Sequence, residues 1–226
     1  MSFQTHPTYL DFEAANQPYA ERLDDCLAGI LAEPDLFARF LNTLSMMEHM
    51  GSRRIMLTQN EPDLAQDTLK HMAEEARHAF FFKRQAEKFA GRSMAYTSAD
   101  TIAAPFARMY FMRLESHIAQ TMQNVAMQDS AKPLQTTYLY MSMIIEFRAV
   151  WAFDLLQRGL DNADIKLSLK SLLAEEQGHL ADMESALANL DSHTAQRTVE
   201  FLTKERELFT KLLTALERTV SLAEAA

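Results

Sequence analysis

Apolar residues recur at spacings of three and four along most of the chain, and no stretch alternates for long as a strand would. Glycine and proline, which interrupt such patterns, occur only 5 and 6 times among 226 residues. The pattern therefore predicts an all-α protein forming one domain over residues 1–226. The interruptions predict an irregular arm at about 1–18 and then helices at 19–32, 34–58, 62–90, 104–128, 133–159, 163–190 and 194–220.

The lengths of the connections predict how four of these helices pack. The helices at 34–58 and 62–90 are joined by a very short connection, as are those at 133–159 and 163–190, so each pair is expected to be an antiparallel hairpin. Between the two pairs, the helix at 104–128 would span roughly 37 Å at 1.5 Å per residue, enough to run the length of a bundle. Two antiparallel pairs joined by one long crossover, with additional helices, make a ferritin-like four-helix bundle.

Composition excludes several classes of protein. The formal net charge of −9 argues against nucleic acid as the main partner, because phosphate binding needs a basic surface. A single cysteine, Cys26, cannot form a disulfide within the chain or hold an iron–sulfur cluster by itself. The first residues do not resemble a signal peptide, and no apolar run is long enough to cross a membrane. We therefore expect a cytoplasmic protein without a membrane partner.

The candidate chemistry lies in a repeated phrase, Glu-Glu-x-x-His, which reads EEARH at 74–78 and EEQGH at 175–179. The second Glu and the His of each phrase are three residues apart and share one helical face. Two further glutamates, Glu48 and Glu146, fall on the apolar stripes of the first and third bundle helices. The predicted metal ligands are therefore Glu48, Glu75, His78, Glu146, Glu176 and His179.

Metal ions account for these residues because a carboxylate loses several kcal/mol when it is buried without a partner. Two cations would compensate four glutamates, and one Glu from each of two helices with Glu-x-x-His from the other two is the ligand pattern of dinuclear carboxylate sites. Carboxylate and imidazole ligands suit iron or manganese, so Fe/Fe, Mn/Fe and Mn/Mn pairs all remain open.

Other interpretations of the same residues remain open. Glu48 or Glu146 could instead be buried as a partner of an arginine such as Arg148. Glu115, on the crossover helix, is the main rival of Glu146 as a ligand. His71, one turn before Glu75, is interpreted as a polar core residue rather than a further ligand.

The ligand pattern resembles that of the ferritin-like di-iron carboxylate superfamily. The leading acid of each phrase resembles the Asp/Glu-Glu-x-Arg-His motif of the bacterial multicomponent monooxygenase and ribonucleotide reductase relatives. The resemblance implies that Glu74 and Glu175 hydrogen-bond ligand histidines. Gly178 stands where that motif has arginine, which puts the hydrogen bonds around the fourth helix in question rather than the ligands.

From this resemblance we expect a di-iron oxidoreductase that activates O₂ to oxidise or oxygenate a small organic substrate, with no catalytic residue beyond the metal ligands. An external electron donor and a homodimer are expected with it. Gly51 and Ser52, close to Glu48, are expected to leave room for a ligand. The alternatives are ferritin- or rubrerythrin-like iron oxidation or peroxide removal, and a metal-free helical interaction module.

Overall fold

The computed structural model describes residues 7–59, 64–126 and 133–225. Within these ranges all regular structure is helical and no strand occurs, which confirms the all-α prediction. The helices are α1 (Pro7–Ala32), α2 (Pro34–Thr58), α3 (Gln66–Ala90), α4 (Ala104–Ala126), α5 (Pro133–Asn162), α6 (Lys170–Leu190) and α7 (Thr194–Glu224).

The predicted irregular arm is wrong from residue 7 onward, because α1 begins at Pro7 and continues through Pro18. Proline weakens a helix interior by removing one donor, but tertiary packing can override that preference. Here Tyr9 and Phe12 are both buried, and each packs its ring on Phe147. These contacts hold the helix N-terminal to Pro18 in place.

Residues 163–169 also differ from the prediction, because they are not part of α6. They were predicted to open the fourth bundle helix, but α5 continues past Gly159 to Asn162 and α6 begins only at Lys170. The backbone N–H of Leu169 donates instead to Oε1 of Gln157 at 2.7 Å, and the Leu169 side chain is fully buried. A side chain of α5 thus satisfies a backbone donor that the predicted helix would have satisfied internally. At the start of α3 the prediction of residue 62 falls among residues 60–63, which lie outside the described ranges.

By its internal contacts the chain divides into two compact units, and the prediction of a single domain stays a prediction. One unit comprises Cys26–Phe111 and Lys211–Ala226. In it, Ser45 donates to the carbonyl of Ala79 at 2.7 Å, and Ser52 donates to that of Met72 at 3.1 Å. Because numbers rise on α2 as they fall on α3, the two helices form the antiparallel hairpin that was predicted.

The segment that follows α3 is fixed to this hairpin by polar side chains. Gly91 ends α3 with φ +64°, a left-handed conformation that glycine adopts without strain. Asn42 of α2 donates to the carbonyls of Ala95 and Asp100, both at 2.8 Å. Lys83 of α3 donates to Oδ1 of Asn42 at 2.9 Å. These hydrogen bonds hold residues 91–103 against the end of the hairpin remote from the connection at 59–65.

The other unit comprises the described parts of Met1–Asp25 and Met112–Thr210. Its α5 and α6 are also antiparallel, since Gln157 meets Leu169 at one end and Glu146 meets His179 further along. Arg148 of α5 is buried and donates to both carboxylate oxygens of Glu205 of α7 at 2.8 Å. Its guanidinium lies over the ring of Phe209, 3.8 Å from the centroid.

The polar loop between α6 and α7 closes the same unit. The Tyr140 hydroxyl donates to Oδ2 of Asp191 at 2.6 Å, and Arg197 forms an ion pair with the same carboxylate. The backbone N–H of His193 donates to its other oxygen at 2.9 Å. Burial opposes ionisation of Asp191, but these hydrogen bonds outweigh burial and set its pKa below the ordinary value. None of the helices in the described ranges is both long enough and apolar enough to cross a membrane.

Candidate metal centre

The hairpin of α2 and α3 carries three of the six predicted ligands. Glu48 is partly exposed on α2, whereas Glu75 and His78 of α3 are buried, with Glu75 only 8 % exposed. Glu75 and His78 are three residues apart and therefore lie on one face of α3. The hydrogen bonds from Ser45 and Ser52 to the backbone of α3 fix that face in register with α2.

Gly51 of α2 decides where the Glu75 carboxylate can lie. A Cβ atom at Gly51 would come within 2.8 Å of Oε2 of Glu75, closer than real Cβ contacts occur. Ser52 is occupied as well, because its hydroxyl donates to the carbonyl of Met72. The Glu75 carboxylate thus lies on the Cβ side of Gly51, and the expectation that Gly51 and Ser52 leave room for a ligand stays a prediction.

His71 lies one helical turn before Glu75 and is 4 % exposed. Its Nε2 is 3.2 Å from Oε1 of Glu75, so imidazole and carboxylate are in direct polar contact. Glu75 thus faces Gly51 with one oxygen and His71 with the other. Its orientation is set from both sides.

The hairpin of α5 and α6 carries the other three predicted ligands, all of them buried. Glu146 is 2 % exposed and Glu176 is 1 % exposed. Nδ1 of His179 lies 3.2 Å from Oε1 of Glu146 and 3.1 Å from Oε2 of Glu176. One imidazole nitrogen therefore faces two carboxylate oxygens from two helices.

Among the described residues, two groups of side chains each bring four potential ligand atoms within 4.8 Å of one another. We call them the nitrogen-rich group and the carboxylate-rich group. The nitrogen-rich group is His71, Glu75, Glu146 and His179, and the carboxylate-rich group is Glu48, Glu75, His78 and Glu176. All six predicted ligands belong to one group or the other, and Glu75 belongs to both. These buried groups could hold a metal ion.

The chemistry of the donor atoms fits metal ions. Neighbouring ligands of an octahedral cation with bonds of about 2.1 Å lie roughly 3 Å apart. The 3.2 Å distances from His179 to Glu146 and from His71 to Glu75, both within the nitrogen-rich group, have about this value. Hydrogen bonds have the same length, so the composition of the groups carries more weight than the distances. Four carboxylates with neutral imidazoles carry a charge that two divalent cations would balance.

The structure bears on the other interpretations of Glu146, Glu115 and His71. Arg148, the suggested partner of Glu146, is bound to Glu205 instead. Glu115 lies partly exposed on α4 and belongs to neither group. His71 is buried, as a core residue would be, but it also belongs to the nitrogen-rich group, which its four-residue spacing from Glu75 could have suggested. That the six residues bind metal remains a prediction.

The two leading acids of the repeated phrase are placed differently. Glu74 is buried and forms ion pairs with Lys70 at 3.9 Å and Arg77 at 3.7 Å, both on its own helix. Glu175 is partly exposed. Gly178 has no atom within 4 Å of the place where a Cβ would stand, so packing does not require glycine there. Hydrogen bonds from Glu74 and Glu175 to ligand histidines stay a prediction.

No family model matches the chain, and neither a curated protein nor a solved structure does. The case for a metal centre therefore depends on the side chains themselves.

Proposed function

We propose that this protein is a dinuclear metal oxidoreductase, built on a ferritin-like four-helix bundle, that uses O₂ to oxidise or oxygenate a small organic substrate. One observation carries the proposal: the six residues predicted from the repeated phrase and the two apolar stripes, together with His71, form two compact groups that share Glu75. Glu75, which belongs to both groups, would hold the two ions of such a centre close together, and two-metal sites generally have their ions about 3.5–4 Å apart.

The helices support the ferritin-like part of the proposal. The two hairpins, α2–α3 and α5–α6, supply all the proposed ligands, and each is antiparallel. The chain between them contains α4 with 23 residues, which is long enough for the crossover that this architecture needs. In this proposal α1 and α7 are the additional helices.

The ligands favour iron, with Mn/Fe and Mn/Mn as the other pairs. Carboxylates and imidazoles are the ligands that iron and manganese both accept. A pair of reduced ions, when bound, would supply two electrons to O₂ together. Cys26 is the chain's only cysteine, so the electrons that renew the pair would come from an external donor.

The proposed ligands differ in how far they are buried. Glu146, Glu176 and His179 are almost fully buried, which keeps bulk water from a reactive centre and strengthens the electrostatic interactions inside it. Glu48 is the least buried of the proposed ligands. We propose that O₂ and the substrate reach the ions on the Glu48 side.

Anaerobic loading with Fe(II), metal analysis and then exposure to O₂ test the proposal together. About two irons per chain and rapid O₂ uptake are expected. Size-exclusion chromatography of the loaded protein is expected to give a small assembly such as a homodimer. Tens of irons per chain in a large cage would instead assign the protein to iron storage, whereas turnover with hydrogen peroxide but not with O₂ would assign it to peroxide removal. A chain that binds no metal would be a helical interaction module, and the proposal would fail.

A further inference from the structure

The geometry points to His71 as a seventh metal ligand, which makes the two metal positions chemically unequal. This inference rests on the proposed dinuclear centre and goes beyond the residues of the repeated phrase. It assigns a direct role in metal binding to a histidine that lies outside that phrase.

The position of His71 on α3 gives it access to the same ion as Glu75. Residues four apart share a helical face, and Nε2 of His71 is 3.2 Å from Oε1 of Glu75. The imidazole is 4 % exposed, so its polar atoms face the interior of the protein. Its ligand atom also lies within 4.8 Å of those of Glu146 and His179. Helix α3 would thus provide three donors on successive turns, at His71, Glu75 and His78.

With His71 included, the two positions differ in their donor atoms. The nitrogen-rich group has two imidazoles and two carboxylates, whereas the carboxylate-rich group has one imidazole and three carboxylates. Imidazole favours iron, cobalt and later metals, whereas carboxylate is the ligand that suits manganese. The position beside His71 is therefore expected to select the later metal when two metals compete.

A histidine that only orients Glu75 by a hydrogen bond would also affect metal affinity, because such partners typically change it 10- to 100-fold. A loss of affinity alone therefore does not identify a ligand. The decisive measurement must report a bond between the metal and the side chain at position 71. A cysteine at that position provides one, since a thiolate bound to Co(II) gives an intense charge-transfer band in the near ultraviolet.

The experiment is an anaerobic Co(II) titration of the full chain, followed by absorption spectroscopy and metal analysis. Wild type is compared with His71→Ala, His71→Cys and the control His117→Ala, which removes a histidine of α4 that belongs to neither group. Wild type and the control are expected to bind two ions per chain. In His71→Ala one ion is expected to bind at least about 10-fold more weakly and the other within a few-fold of wild type. In His71→Cys a thiolate band is expected for one ion per chain, against a wild-type baseline that includes Cys26.

The outcomes separate the two proposals. Two ions at wild-type affinity in His71→Ala would overturn the role of His71 alone. A cysteine side chain is shorter than histidine, so where His71→Cys shows no thiolate band, the number of bound histidine nitrogens distinguishes a ligand from an orienting residue. If wild type binds no cobalt, the dinuclear centre fails and His71 fails with it. In that case, or if His71→Cys does not fold, pulsed EPR of Cu(II)-loaded wild type and His71→Ala counts the bound histidine nitrogens. The loss of one nitrogen would support the inference, and an unchanged count would overturn it.

Discussion

Gly51→Ala is the substitution that most directly tests whether the Glu75 carboxylate is a metal ligand held in place by packing. The new Cβ would stand 2.8 Å from Oε2 and 3.6 Å from Cδ of Glu75. An ordinary contact begins at 3.4 Å, so the carboxylate must move by roughly 0.6 Å. Functional geometry generally has to be kept within about 0.5 Å. The displacement is thus large enough to disturb a metal bond and small enough for the helices to keep their packing.

The expected effects on stability and on metal binding have opposite signs. Replacing glycine by alanine inside a helix stabilises it by about 0.5–1 kcal/mol, so the metal-free variant is expected to be no less stable than wild type. A ten-fold loss of metal affinity lowers the free energy that binding adds to the folded state by about 1.4 kcal/mol. For a chain of this length that corresponds to a metal-dependent rise in Tm smaller by roughly 3–6 °C.

Calorimetric melts with and without Fe(II) or Co(II) measure both effects. The matched control is Gly178→Ala, because Gly178 also lies inside a helix but has open space where the Cβ would be. The control is expected to raise the Tm in both conditions and to keep the full metal-dependent increase. A Gly51→Ala protein with the wild-type metal-dependent rise in Tm would refute the role of Glu75, of Gly51 or of both.

Three further predictions concern other parts of the molecule. Glu146→Gln is expected to remove about one metal ion per chain, whereas Glu115→Gln, outside both groups, keeps the wild-type content by metal analysis; the reverse result would transfer the ligand role. Arg148→Met is expected to lower the free energy of unfolding by about 3–5 kcal/mol, because it leaves the fully buried Glu205 without its bidentate partner. Adding Glu205→Leu should restore much of the lost stability. Chemical denaturation of the single and double variants measures both effects, and an equal loss of stability in the two would argue against the importance of the Arg148–Glu205 ion pair. The folded-state pKa of Asp191 lies below its ordinary value, so the stability that its carboxylate contributes is present above about pH 4 and is lost as the pH falls through the folded-state pKa. In Asp191→Asn the free energy of unfolding should therefore fall less steeply between about pH 4 and lower pH. An unchanged pH dependence in this range would contradict the role given to Asp191.

The sequence predicted most accurately those helix ends that a local signal marks. Residues 34–58 agree with α2 at both ends, because Pro34 suits the first turn of a helix and no interruption follows until residue 60. Gly91 marks the end of α3 for an equally local reason. Signals of this kind depend on a few neighbouring residues and can be recognised without knowledge of the fold.

The errors arose where distant residues decide the local structure. Whether the chain is helical before Pro18 depends on the aromatic contact with Phe147, more than a hundred residues away. The loop before α6 depends on the side chain of Gln157. From the sequence, a polar core residue is favoured at His71 over a further ligand or a proton carrier. His71 is nevertheless one of the four potential ligands of the nitrogen-rich group, as its four-residue spacing from Glu75 could have suggested.

Contacts from both helices fix the α2–α3 hairpin around Glu75. A carboxylate that would hold a metal ion has to keep its orientation, because its oxygens must stay close to the productive geometry. Gly51 permits Oε2 of Glu75 to lie against α2, and Oε1 lies 3.2 Å from Nε2 of His71 on α3. Ser45 and Ser52 prevent the two helices from sliding past each other, which would carry Gly51 away from Glu75. If Glu75 is a metal ligand, Ser52→Ala is expected to weaken metal binding as well as stability, because it would let Gly51 shift relative to Glu75. A Ser52→Ala protein that is less stable but keeps the wild-type metal content by metal analysis would contradict this role of the hairpin.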